Sequence, residues 1–239
     1  MKALRPMLKI YRYTSLFIII VIAGTQWGFY KYYTSQFPNF IDKTYTIHIH
    51  GALWMTWLSL LVLQPFFIVT GKIKLHRSIG KVSYVLGPTL ILFHFLAGRE
   101  SYWKIIGNST EHEALKFLVL DSRGLISFII FWAFAMFKRN EPAAHMRFMI
   151  GTGILAIGPG VGRGLVNSFN FDFATVFSIL DLANLLLVGL LLGYDIYKKQ
   201  NPRPYLIVFI TLFFGAFLWQ IRDSDTWQSL AKSYALMFY

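Results

Sequence analysis

The chain has 239 residues, 56% of them hydrophobic and only 14% charged, with a formal net charge of +12. That apolar surplus excludes an ordinary soluble domain. In hydrocarbon every backbone polar group must be satisfied internally, and the apolar runs are too long for alternating barrel strands, so helices remain. The basic residues sit at the ends of the runs rather than on one soluble face, which points to lipid and away from nucleic acid. With no cysteine, thiolate metal sites, c-type haem attachment and disulfides are excluded.

A span needs about 20 mainly apolar residues, and seven stretches qualify: 14–30, 47–70, 79–97, 114–137, 144–166, 173–194 and 205–221. Lys2, Arg5, Lys9 and Arg12 ahead of the first run look like a secretory leader. No small-residue cleavage site follows, so this stretch reads as a retained span. Residues 2–12, 72–81, 138–147 and 198–203 together hold 14 Lys and Arg, against 9 on the other side. That bias predicts a cytoplasmic N-terminus and an outer C-terminus, in a bacterial inner membrane. The expected fold is therefore an all-α polytopic bundle of about seven spans, one transmembrane domain over residues 1–239. The longest connections are expected at 31–45 and 99–113, too short for a separate soluble activity. His76-Arg77 followed by Gly87-Pro88, and His145-Met146-Arg147 followed by Gly158-Pro159, suggest a parallel repeat of hairpins 47–98 and 114–166.

Ionisable residues inside spans are costly and are functional candidates by default. His48 and His50, His94, Asp121 and Arg123, and Arg163 fall in the outer halves of spans two to five, with Asp181 and Asn184 nearer the middle of span six. His76, Arg77, His145 and Arg147 form a second layer at the cytoplasmic ends. On one continuous helix His76 and His94 would share a face, about 27 Å apart. His48 and His50 point about 200° apart, so one of them serves a compact site, and His50, next to Gly51, is the choice.

Three readings fit these residues. Imidazoles are natural axial ligands of b-type haem, so His50 with His94 and His76 with His145 form candidate pairs, with Arg77 and Arg147 for the propionates. The result would be an electron-transfer protein exchanging electrons with a quinol or a respiratory complex. A second reading is a zinc-dependent intramembrane lipid hydrolase using His48, His50, His94 and Asp121. A third is a non-catalytic subunit or small transporter, in which Asp121, Arg123, Arg163, Asp181 and Asn184 pair helices or pass protons. Asp121 and Arg123, two apart on one helix, are expected to find partners elsewhere, such as Arg163 or Asp181. The run Gly158-Pro159-Gly160-Val161-Gly162-Arg163-Gly164 lacks the Lys-Ser/Thr of a phosphate loop and reads as close packing or a broken helix. Glu111-His112-Glu113 reads as solvated.

Residues 48–88, with His76-Arg77-Ser78-Ile79-Gly80, and residues 143–163, with His145-Met146-Arg147, resemble a group of uncharacterised bacterial multi-span proteins with a His-Arg-x-x-Gly element. More distantly they resemble transmembrane di-haem b cytochromes and ferric-reductase-type membrane domains. That resemblance implies haem ligation by His50, His76, His94 and His145. The chain departs from the pattern in the doubled first histidine and in an inner pair that lies at the membrane edge.

Overall fold

The computed structural model describes residues 4–239, with side chains from residue 10 onward. All regular structure among them is helical: α1 (Leu4–Phe29), α2 (Tyr45–Val69), α3 (Ile73–Gly80), α4 (Ser83–Asn108), α5 (Glu111–Phe137), α6 (Pro142–Ile154), α7 (Arg163–Phe169), α8 (Phe173–Tyr197), α9 (Arg203–Gln220) and α10 (Asp225–Phe238). Among the described residues six stretches are long and apolar enough to cross a membrane: Tyr45–Val69, Ile73–Asn108, Glu111–Phe137, Pro142–Phe169, Phe173–Tyr197 and Arg203–Gln220. The expected first span lies on α1, outside these six.

Three expectations change. The loop expected at 99–113 is mostly helix, because α4 runs on to Asn108 and α5 starts at Glu111, capped by Thr110 Oγ1, which accepts from the Glu113 amide at 3.3 Å. The helix between His76 and His94 is interrupted at Lys81 and Val82, so their shared face does not follow. Beyond the last expected span the chain folds again as α10, started by Ser224, whose side chain accepts from the Trp227 amide.

The chain packs as two compact units. The first comprises the chain up to Leu90 with Thr152–Phe173, the second Ile91–Gly151 with Ala174–Tyr239.

In the first unit α2 ends where Gly71 takes a positive φ of 75°. The Gly71 amide then donates to the Ile68 carbonyl and the Lys72 amide to that of Phe67, closing the orphan carbonyls and releasing the chain into α3. Ser15 Oγ donates to the Val62 carbonyl at 3.0 Å, joining α1 to α2. Buried Trp57 Nε1 donates to Thr152 Oγ1 at 3.0 Å. The glycine run forms a π-helical turn, Gly158–Gly162, as expected where Pro159 cannot donate to the Leu155 carbonyl. Its backbone lies directly on α1: a Cβ on Gly28 would stand 1.9 Å from the Gly160 carbonyl oxygen, and one on Gly160 2.8 Å from Thr25 Cα. This is close small-residue packing, with no phosphate loop.

The second unit is built around α5, whose buried face includes Leu115, Leu118, Val119, Phe128, Phe131 and Ala135. α10 lays Trp227, Ala231 and Ala235, four apart, into this unit, and Trp227 Nε1 donates to the Leu115 carbonyl at 2.9 Å.

Candidate functional site

Two ion pairs of the second unit are anchored on α8. Asp181 and Asp195 are four turns apart, about 21 Å along the axis and nearly on one face. Arg123 of α5 donates Nη1 to Asp181 at 2.7 Å and also to the Gly215 carbonyl of α9 at 3.1 Å. Arg147 of α6 grips Asp195 with two parallel bonds, Nε at 2.6 Å and Nη2 at 2.7 Å. It donates further to the Ala143 carbonyl at 2.8 Å and to Gln200, and its guanidinium faces the Tyr205 ring. Arg147 is 5% exposed and Asp195 2%, so this pair is desolvated. Bidentate geometry and the extra bonds are what such a pair needs to survive out of water. Of the partners expected for Arg123, Asp181 is the one it meets.

A second cluster joins α4, α5 and α10. His94 Nε2 lies 3.3 Å from the Asp121 carbonyl, so Nε2 carries the proton. Gly124 lies flat against this ring, and a Cβ there would touch His94 Cε1 at 3.4 Å. Gly98 makes room for the Asp121 carboxyl and the Tyr239 hydroxyl together: a Cβ on it would be 3.3 Å from Asp121 Cγ and 3.1 Å from Tyr239 Oη. Burial pushes the Tyr239 phenol up, and Tyr234 and Asp121 add to the shift. Burial also pushes Tyr234 up. His94, Asp121, Tyr234 and Tyr239 thus meet where α4, α5 and α10 pack together. Arg99 Nε and Trp103 Nε1 fix Tyr239 through its carbonyl at 3.1 and 3.2 Å.

The remaining candidates lie in other settings. In the first unit His48 Nδ1 accepts from Tyr33, a phenol pushed up by burial, at 2.5 Å, and packs edge-on to Phe40. His50 packs against Trp54. Arg163, expected beside Asp121 or Asp181, belongs to the first unit, its guanidinium 5.0 Å from the Phe29 ring and 5.6 Å from that of Tyr32. His76 is half-buried on α3 and Arg77 is exposed there. In the second unit His145 donates Nδ1–H to the Ala135 carbonyl at 2.9 Å, and Asn184 is half-buried on α8. His112, Glu113 and Glu111 pair with Asp223, Lys116 and Lys232.

These positions bear on the cofactor readings. His94 directs its Nε2 proton at a backbone carbonyl, whereas axial ligation through that nitrogen needs its lone pair. Arg147, expected at a propionate, is held by Asp195. Among the described residues no group of three or more His, Asp or Glu is gathered closely enough to hold a metal ion.

Sequence reasoning missed Asp195, one residue past the end set for span six, although its fourteen-residue spacing from Asp181 already placed both on one face. It also missed Tyr234 and Tyr239. The signal for them was the capping Ser224 followed by apolar residues at Trp227, Leu230, Ala231, Tyr234 and Ala235. No family model, curated protein or solved structure matches the chain.

Proposed function

We propose that this chain is a non-catalytic component of a bacterial inner membrane, a subunit or small carrier, whose intramembrane charges join helices rather than hold haem or zinc. It crosses the membrane seven times, with α1 as the first span and the N-terminus in the cytoplasm, in line with the excess of Lys and Arg on that side.

The observation that carries the reading is the desolvated Arg147–Asp195 pair, 2.6 Å apart. A lone charge so buried in the protein is expensive, and a pair that satisfies itself and ties α6 to α8 is a helix-joining device. Arg123 does the same for α5, α8 and α9, and the imidazoles of His94 and His145 reach carbonyls on α5.

The test is a reduced-minus-oxidised absorbance spectrum of the detergent-purified chain with metal analysis of the same sample. No sharp α or Soret band and no stoichiometric zinc are expected. Haem bands that vanish in His50→Ala or His94→Ala would overturn the proposal.

A further inference from the structure

Where α8 begins and α9 ends, the second unit opens a groove of about 460 Å³ lined by Thr175, Ser178, Ile179, Leu182, Gln220 and Arg222, among others. Its two ends differ in chemistry. At one end the polar groups are held in place: Trp219 Nε1 and Gln220 Nε2 both donate to Ser178 Oγ, at 3.2 and 3.3 Å, and Ser178 donates to the Ala174 carbonyl at 2.9 Å. The Arg222 guanidinium lies 4.1 Å from the centre of the Trp219 ring, and its Nη1 donates to the Trp219 carbonyl at 2.6 Å. Its buried Nε makes no hydrogen bond. The adjacent Asp223 carboxylate is 3.7 Å from that Nε and is held more closely by Lys116 at 3.2 Å and His112 at 3.3 Å. A planar cation thus borders the groove, and the carboxylate beside it is held more closely by Lys116 and His112.

At the other end Ile179 and Leu182 line the groove, and the same face of α8 continues through Leu186 and Leu190, all four exposed. Spacings of three and four residues make this one continuous stripe, long enough to lie beside an acyl chain. A cationic, hydrogen-bonding pocket leading directly onto an apolar track matches one ligand class, an amphiphile with an anionic head. We propose that this groove binds an anionic phospholipid, its phosphate at Arg222 and Gln220 and a chain along Ile179, Leu182, Leu186 and Leu190. The proposal rests on the membrane reading of the helices and not on the assignment of a non-catalytic role.

The test is native mass spectrometry of the full chain in detergent with phosphatidylglycerol, with phosphatidylcholine, and with inorganic phosphate alone. One phosphatidylglycerol is expected to be retained about five-fold more tightly than phosphatidylcholine, the contribution of one basic residue at a lipid surface, with no retention of phosphate. Arg222→Gln should equalise the two lipids. Thr175→Trp, at an exposed groove position, should displace both, and it decides the matter if Arg222→Gln fails to elute as a folded, monodisperse species. Equal retention of the two lipids by the unmodified chain, retention of phosphatidylglycerol by Thr175→Trp, or competition by phosphate alone would each overturn the proposal. None of these outcomes touches the spectroscopic test of the non-catalytic role.

Discussion

Replacing Arg147 by Met removes the charge and keeps much of the length of the side chain. Asp195, 2% exposed, then loses both bonds to its carboxylate, the 2.6 Å one from Nε and the 2.7 Å one from Nη2. An ion left alone in a buried site costs about 3–5 kcal/mol, whereas an exposed pair such as Lys138–Glu141, three residues apart at 2.8 Å, is worth no more than about 0.5 kcal/mol. Reversible unfolding in mixed micelles, followed by tryptophan fluorescence, should therefore show Arg147→Met several kcal/mol below the parent and Lys138→Met close to it. The double variant Arg147→Met with Asp195→Leu is expected to recover most of the loss, because exchanging a buried pair for apolar residues is often neutral or stabilising. If Arg147→Met cost less than about 1 kcal/mol, or if the two single losses simply added, the pair would not be a desolvated helix-joining bond and the reasoning behind the proposed role would fail.

Three further outcomes are expected. Gly28→Ala places a methyl where 1.9 Å separates it from the Gly160 carbonyl oxygen, and no rotamer relieves a backbone clash, so the loss should reach or exceed about 3 kcal/mol; Gly51→Ala, with open space around it, should fold at least as well as the parent. Because the chain has no cysteine, single substitutions report topology: with the proposed orientation, an impermeant maleimide applied to intact cells labels Asp225→Cys and spares Lys199→Cys, and the reverse pattern inverts the assignment. Asp223 sits below the usual carboxylate range, since hydrogen bonds from Lys116 and His112 outweigh the partial burial that opposes them. A depressed folded-state value stabilises above the unfolded value of about 3.9 and loses that contribution as pH falls through the folded one. Protection of the α10 amides against hydrogen exchange should therefore hold from neutrality to about pH 4 and decline below it, and a decline of the same size in Asp223→Asn would remove Asp223 as its cause.

Helix class and the core of most of the long apolar helices were legible in the sequence, because an apolar run long enough to span a membrane obeys one rule that acts locally. His48 and His50 diverge as a 3.6-residue period requires, and the Gly-Pro-Gly run is a broken helix because Pro159 lacks an amide hydrogen. The partners were not legible. Arg147 looked available for a propionate because Asp195 is 48 residues away in the chain, and no spacing announced that packing sets Arg163 over Phe29 and Tyr32. α10 also escaped notice, since an amphipathic helix outside the spans carries no strong hydropathy signal. Composition and periodicity thus determine which segments form helices, a matter of local backbone satisfaction in an apolar solvent. Only the tertiary structure decides which charge meets which, because that depends on the rotation and neighbours of each helix, and two side chains a hundred residues apart leave no mark on each other's sequence.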